Sequence, residues 1–212
     1  REDNEGNLWV ACNSLGVYKK LKEGNFKPYT VDSGKLNAYY VETLIVRKNG
    51  DVLVSTHDEG VFRLDVINDV FKPLLCRSCE KELKKVVELY EDEYGHLWFG
   101  TEGNGLGLYD DKKQEVYFYK HHSYIHSSIS DDVVNSIYSD GRGGLWVGTY
   151  YRGLNFVNLY SSAFTHVEEI KGASDHNIVC SITEDKNKNL WLATDGGGIV
   201  HYSNEFKFLE GY

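Results

Sequence analysis

The sequence predicts an all-β protein made of repeated four-stranded antiparallel sheets, and three observations predict this fold. Aromatic residues make up 14% of the 212 residues, and there are 21 glycines but only 2 prolines, which favours strands joined by tight turns. One sequence pattern recurs with its reference position at residues 9, 53, 98, 146 and 191, which gives spacings of 44, 45, 48 and 45 residues. All four tryptophans of the chain occupy that position.

The repeat is defined by two kinds of residue at fixed spacing. The reference position carries tryptophan in four copies and leucine in the second, namely Trp9, Leu53, Trp98, Trp146 and Trp191. A glycine follows seven residues after each of them: Gly16, Gly60, Gly105, Gly153 and Gly198. Regularity over five copies indicates one supersecondary unit that is used five times.

Each unit is predicted to contain four short strands. The first is an alternating run such as residues 86–90, and the second carries the reference residue. The third opens at the repeated glycine, and the fourth is a short amphipathic run at residues 26–29, 71–74, 164–167 and 206–209. Pro28 and Pro73 fall in this fourth strand, which suits an outer edge because proline cannot donate to a β-ladder.

Four strands per period of about 45 residues are typical of a β-propeller blade. The predicted units cover residues 1–35, 36–79, 80–124, 125–170 and 171–212, and the first lacks its innermost strand. We expect each tryptophan to fill the gap between adjacent blades. Residues 80–85 form the only segment whose composition favours a helix.

Charge and composition exclude several classes of function. The formal charge of −9 argues against nonspecific nucleic-acid binding, and no apolar stretch approaches membrane-spanning length.

Cys76 and Cys79 are predicted to form a loop disulfide or to be two unremarkable thiols, because no second pair completes a zinc site. Cys12 and Cys180 are expected to be small core residues. No metal or cofactor is predicted, and the calcium-like pattern beginning at Asp185 lacks the glutamate at its twelfth position.

Several copies of the motif resemble the two-component regulator propeller repeat. The resemblance is carried by residues 91–101, by residues 184–198, by the stretch 7–9 and by the lead-ins at 127–134 and 174–179. The second copy departs most, with Arg47 where other copies carry aspartate and Leu53 in place of tryptophan. Such repeats are similar to those in the periplasmic sensor region of hybrid two-component histidine kinases of polysaccharide-degrading gut bacteria.

The resemblance implies a non-catalytic periplasmic segment that recognises an oligosaccharide and relays a signal across the membrane. Because five repeats cannot complete a seven-bladed ring, we expect a partial ring that joins the remaining blades of the same chain. Open blade faces would favour self-association, so a homodimer is a further expectation. Two alternatives stay open: a glycan-cleaving propeller of the sialidase or lyase kind, and a purely protein-binding scaffold.

The ligand site is predicted on one rim of the blades. In an up-and-down blade, the connection between strands two and three and the connection to the next blade share a rim. Planar hydrogen-bonding groups with an aromatic face hold sugars, and Tyr150, Tyr151 and Arg152 could supply both. The other candidates on that rim are His57, Asp58, Glu102, Asn104, His122, His126, His176 and Asp195. The alternative interpretation is that these loops simply vary, and the negative total charge argues against a highly sulfated ligand.

Overall fold

A computed structural model of the chain describes residues 1–76, 79–159, 164–167, 170, 178–204 and 206–212. Within those residues the chain forms five antiparallel sheets and one helix of four residues, α1 (Glu80–Leu83). The helix lies in the segment whose composition favoured one. The predicted all-β fold of four-stranded antiparallel blades is confirmed, since the strands of every sheet are neighbours in chain order.

The first sheet has three strands and the other four sheets have four strands each. The first contains β1 (Leu8–Cys12), β2 (Gly16–Lys20) and β3 (Phe26–Tyr29). The second contains β4 (Val41–Val46), β5 (Val52–Thr56), β6 (Gly60–Asp65) and β7 (Val70–Pro73). The third contains β8 (Val86–Glu91), β9 (Leu97–Thr101), β10 (Leu106–Asp110) and β11 (Glu115–Tyr119).

The last two sheets follow the same order. The fourth contains β12 (Val134–Ser139), β13 (Gly144–Thr149), β14 (Leu154–Asn158) and β15 (Phe164–Val167). The fifth contains β16 (Val179–Glu184), β17 (Leu190–Thr194), β18 (Gly198–Tyr202) and β19 (Phe208–Gly211). β19 begins two residues later than predicted, because Phe206 has a φ of 57° and its ring stacks on Tyr202 at 4.5 Å instead of continuing the strand.

The chain divides into two compact units, and the first comprises residues 1–99 and 109–116. Its core joins the first sheet to the second through Trp9, Tyr29, Val54 and Phe71. The ring of Trp9 lies 5.1 Å from that of Tyr29 and 6.1 Å from that of Phe71 on the second sheet. The reference tryptophan of the first sheet therefore fills the space against the neighbouring sheet.

The second unit comprises residues 100–108 and 117–212. Its core joins the fourth and fifth sheets through Leu154, Val179, Leu192 and Val200 among others. Trp146 of the fourth sheet stacks on Phe206 at 5.0 Å. Here too the reference tryptophan packs against the following repeat.

The turn between the first and second strands is closed by an aspartate six residues before the tryptophan. Asp185 accepts the backbone N–H of Asn187 at 2.8 Å and that of Asn189 at 3.0 Å. Its second oxygen accepts the indole N–H of Trp191 at 3.3 Å. Both carboxylate oxygens therefore accept N–H donors, and the calcium-like pattern at Asp185 forms a turn of the repeat.

The four cysteines fall into two groups. Cys76 and Cys79 form a disulfide with their Cα atoms 5.6 Å apart, so one of the two predicted alternatives is realised. The expectation that Cys12 and Cys180 are core residues is wrong, because Cys12 is only partly buried and Cys180 is exposed. Cys180 lies at an irregularity between Val179 and Ser181, where the pairing with β17 shifts register and the alternation that predicts burial breaks.

Among the described residues, no helix is long and apolar enough to cross a membrane.

Candidate functional site

The connection between the second and third strands is closed by the same hydrogen bond in the four complete sheets. A threonine hydroxyl at the end of the second strand donates to the carbonyl oxygen of the repeated glycine. The oxygen–oxygen distances are 2.8, 2.7, 2.9 and 3.0 Å for Thr56–Gly60, Thr101–Gly105, Thr149–Gly153 and Thr194–Gly198. The three residues between the threonine and the glycine therefore form a short turn with a fixed backbone conformation.

A second hydrogen bond ties that turn to the chain entering its own sheet. The backbone N–H of His57 donates to the carbonyl of Tyr40 at 3.0 Å, and that of Tyr150 donates to Val133 at 3.0 Å. Asp195 donates to Ile178 at 3.1 Å in the same way. In these sheets the turn therefore lies beside the start of the innermost strand, on the rim that the inter-blade connection shares.

In the second unit this rim carries a small cavity, which we call the histidine cavity. Its volume is about 110 Å³, and its wall includes Arg152, His122 and His126, three of the residues predicted to bind ligand. His121 and His166 also line it, although neither was among the candidate ligand residues. His166 lies on the outermost strand of its sheet, and its sequence position gave no indication that it approaches Arg152.

The loop carrying three of these histidines is fixed by its own polar groups. The backbone N–H of His121 donates to the Asp132 carboxylate at 2.7 Å, and the ring Nδ1 of His121 donates to the carbonyl of Ile129 at 3.0 Å. The N–H of His122 donates to the Ser128 hydroxyl at 3.0 Å. Ile129 is fully buried, so the loop is anchored to the core directly behind the histidine side chains.

The turn that carries Arg152 is attached to the same loop. Buried Ser130 donates its N–H to the Asn155 side-chain oxygen at 2.9 Å, and the Asn155 amide donates back to the Ser130 hydroxyl at 2.8 Å. His166 Nε2 donates to the carbonyl of Arg152 at 2.7 Å. These bonds join loop, turn and outer strand, so the histidine cavity is a preformed feature of the fold.

Aromatic rings stand beside the cavity without lining it. Tyr150 and Tyr151 precede Arg152 in its turn and are 37% and 70% exposed, with their ring centroids 4.6 Å apart in an edge-to-face arrangement. The N–H of Tyr151 donates to the Asp131 carboxylate at 2.9 Å. Tyr124 is 98% exposed in the histidine loop. Accessible aromatic faces and hydrogen-bonding groups thus come together on this rim.

The remaining predicted residues of the second unit lie near this loop or outside the described residues. Glu102 and Asn104 are in a turn whose Gly103 N–H donates to the carbonyl of Asp132 at 3.0 Å, so the turn borders the histidine loop. Neither side chain lines the cavity. Asp195 is exposed in the turn of the fifth sheet and does not line it either. His176 lies outside the described residues.

The first unit carries a separate cleft on the rim of its own sheets. Its volume is about 260 Å³, and it is lined by the predicted residue Asp58 together with Glu59, Tyr39 and Tyr40. His57 lies beside it and contacts Glu42, with 2.9 Å between Nδ1 and Oε1. The two tyrosines are more than half exposed, and sequence reasoning missed them. The same signal that pointed to Tyr150 and Tyr151, an adjacent tyrosine pair in a rim connection, could have found them.

A larger cavity of about 340 Å³ in the first unit holds none of the predicted residues. Arg63, Tyr109 and Asp111 lie in its wall, where Arg63 and Asp111 form an ion pair. Within the described parts of the chain, no three histidine, cysteine or acidic side chains are arranged to hold a metal ion.

Comparison with known proteins identifies the repeat. Residues 83–103, 128–151 and 172–196 match the family described as two component regulator propeller, which confirms the resemblance. An extracellular domain of B. thetaiotaomicron assigned to a hybrid two component system (BT3049) is similar over 96% of this chain, with 21% identity and a TM-score of 0.76. A second such domain from that organism (BT4673) is 18% identical over 97% of the chain, also with a TM-score of 0.76.

A third similar structure is PorZ of Porphyromonas gingivalis, a bacterial surface component of the type-IX secretion system, which is 14% identical over the full chain with a TM-score of 0.73. The chain covers only 26%, 29% and 33% of these three structures, and at such identities the likeness concerns the fold. No curated protein matches the sequence.

Proposed function

Because three of its repeats belong to the two-component regulator propeller family, we propose that this chain is a non-catalytic, ligand-binding segment of a sensor propeller. Its ligand is an oligosaccharide, and binding is relayed across the membrane by other parts of the parent protein. That the parent ring has seven blades remains a prediction.

The observation that carries the proposal is the convergence of Arg152, His122 and His126 on one cavity beside an exposed tyrosine pair. Saccharide sites combine fixed hydrogen-bonding groups with aromatic faces that pack on the sugar ring. The mutual bonds of Ser130 and Asn155 hold the two walls together, which lowers the entropic cost of binding.

The location and partners of the chain follow from the same proposal. The B. thetaiotaomicron structures that it resembles are extracellular domains, which supports a place outside the cytoplasm. Ile199 and Tyr212 pair with each other across the edge of the fifth sheet and are 47% and 67% exposed, which supports that face being covered by a further blade of the parent chain. In the isolated 212-residue chain the same face would favour a homodimer, which sedimentation velocity would detect and which Ile199→Lys would weaken. A chain that stays monomeric at high concentration would contradict this.

The test of ligand binding uses the 212-residue chain and a panel of neutral and acidic oligosaccharides in isothermal titration calorimetry. We expect at least one saccharide to bind and to lose at least ten-fold in affinity when Tyr150, Tyr151 and Arg152 are all replaced by alanine. The melting temperature should change little, because all three side chains are exposed. Tyr117→Ala with Arg142→Ala is the matched control, since both residues are exposed and neither lines the histidine cavity.

Release of new reducing ends from any of these saccharides would replace the sensor proposal with that of a glycan-cleaving propeller. Absence of binding to every saccharide would remove the proposed ligand class.

A further inference from the structure

We propose that the histidine cavity binds a single anionic group, a carboxylate or a sulfate, carried by the saccharide. This inference rests on the proposed function and names the chemical class of its ligand. The negative total charge of the chain argues against a highly sulfated ligand. The residues that line the cavity, however, differ in charge from the chain as a whole.

The wall of the cavity is basic rather than acidic. It includes one guanidinium and four imidazoles, and among the described residues that line it there is no aspartate or glutamate. This is unusual in a chain with 32 acidic and 23 basic residues. Local charge and not net charge determines what a cleft attracts at short range. The wall therefore favours a negative group.

The side chains that would contact the ligand are not engaged in other polar interactions. Within the part of the chain that the structure describes, the side chains of Arg152, His122 and His126 have no hydrogen-bond or ion-pair partner. A guanidinium is always charged, and its planar fork matches the paired oxygens of a carboxylate or a sulfate.

The carboxylates behind the wall are engaged by backbone donors. Asp132 accepts the N–H of His121, and Asp131 accepts the N–H of Tyr151. Both bonds hold the loop and the turn in place. These acidic groups therefore build the site and do not line it.

Two of the histidine rings are oriented by carbonyl oxygens. His121 donates from Nδ1 to Ile129, and His166 donates from Nε2 to Arg152. Each ring keeps its second nitrogen outside the orienting bond. The rings are therefore held in place while those nitrogens stay open to a ligand.

The size of the cavity fits one substituent rather than a sugar ring. Its volume of about 110 Å³ is well below the roughly 300–1,000 Å³ of pockets that enclose small molecules. The ring that carries the anionic group would then lie outside the cavity, on the side of the turn that exposes Tyr150 and Tyr151. Acidic saccharides, either uronates or sulfate esters, have this combination of a ring and a charged substituent.

The test compares four probes against the 212-residue chain by calorimetry at low and physiological salt. The probes are an oligogalacturonate, a sulfated oligosaccharide, a neutral oligosaccharide of similar length and sodium sulfate. We expect an acidic oligosaccharide to bind at least ten-fold more tightly than the neutral one, and added salt to reduce the difference. Arg152→Gln should remove the preference, and His122→Gln with His126→Gln should weaken it. Arg142→Gln, in the opposite turn of the same sheet, should leave it unchanged.

The outcomes separate this inference from the proposed function. If neutral and acidic oligosaccharides bind equally and Arg152→Gln has no effect on their ratio, the anionic site is wrong while the sensor proposal stands. If sodium sulfate binds in an Arg152-dependent way and no saccharide binds, the anionic site stands while the proposed ligand class is wrong. If no probe binds, both are wrong.

Discussion

The indole N–H of Trp98 donates a hydrogen bond of 3.0 Å to the carboxylate of Asp92, and both residues are buried. The same bond joins Trp9 to Asp3 at 2.9 Å. This hydrogen bond explains why the second repeat differs from the other repeats at both of these positions. Leu53 has no indole N–H to donate, and in this turn the side-chain oxygen of Asn49 accepts the backbone N–H of Asp51, so the position six residues before Leu53 needs no acceptor and carries Arg47.

The buried aspartate of the third repeat should be more important for stability than that of the fifth. Asp92 accepts the N–H groups of Tyr94 and His96 as well as the indole, and its side chain is fully buried, whereas that of Asp185 is 28% exposed. Replacing Asp92 by asparagine turns an amide donor toward these N–H groups and should cost about 2 kcal/mol in urea unfolding. Asp185→Asn should cost less, and the exposed control Asp32→Asn should stay within about 0.5 kcal/mol of the parent. Equal losses at Asp92 and Asp32 would contradict this role.

The arginine of the second repeat should stabilise the contact with the third repeat. Arg47 is 5% exposed and pairs with Glu91 at 3.0 Å and with Asp111 at 2.9 Å. Arg47→Met leaves both carboxylates without this partner and should lower the free energy of unfolding by about 3 kcal/mol. In a double-mutant cycle, the variant that also carries Glu91→Gln should lose about 1 kcal/mol less than the sum of the single losses. Strict additivity would show that the contact contributes nothing.

A half-buried glutamate should make stability depend on pH. Burial raises the pKa of the Glu88 carboxyl to about 7, and the charge of Arg1 opposes this to a lesser extent. The folded state then holds the proton more tightly than the unfolded state does, so this contribution is present below about pH 4.5 and is lost as the pH rises through 7. Glu88→Gln should therefore stabilise the chain by about 2 kcal/mol at pH 8 and have little effect at pH 4.5.

Urea unfolding of both proteins between pH 4.5 and 8 measures this difference. Glu23→Gln at an exposed position serves as the control and should follow the parent at every pH. A pH-independent difference between Glu88→Gln and the parent would contradict the assignment.

Two neighbouring glycines should respond differently to the same substitution. Gly103 and Gly105 have φ values of 104° and 79°, so alanine is strained at both. A Cβ at Gly103 would meet no atom within 4 Å, whereas one at Gly105 would collide with the carbonyl oxygen of Tyr119. Gly103→Ala should cost about 1 kcal/mol and Gly105→Ala about 3 kcal/mol or more. Equal costs in chemical denaturation would mean that the fourth strand moves away without penalty.

The arrangement of strands could be predicted because each blade is a local structure. The spacing from Trp98 to Gly105 fixes where one strand ends and the next begins, and Pro28 and Pro73 mark outer edges because they lack an N–H. Failures occurred where a single residue left the regular pattern. Cys180 lies at a register shift, and Phe206 adopts a positive φ, and neither feature changes the periodicity of the surrounding residues.

The candidate site could be predicted only in part. The sequence by itself determined the rim and placed Arg152, His122 and His126 on it, because strand order alone dictates which connections share an edge. Only the tertiary structure decided that these side chains line one cavity, that His166 joins them from an outer strand, and that Asp195 does not. Such convergence depends on hydrogen bonds between residues far apart in the chain, such as Ser130 with Asn155, and on the packing of Ile129. A repeat pattern specifies how each strand pairs with the next, but it holds no information about where the side chains of its loops meet.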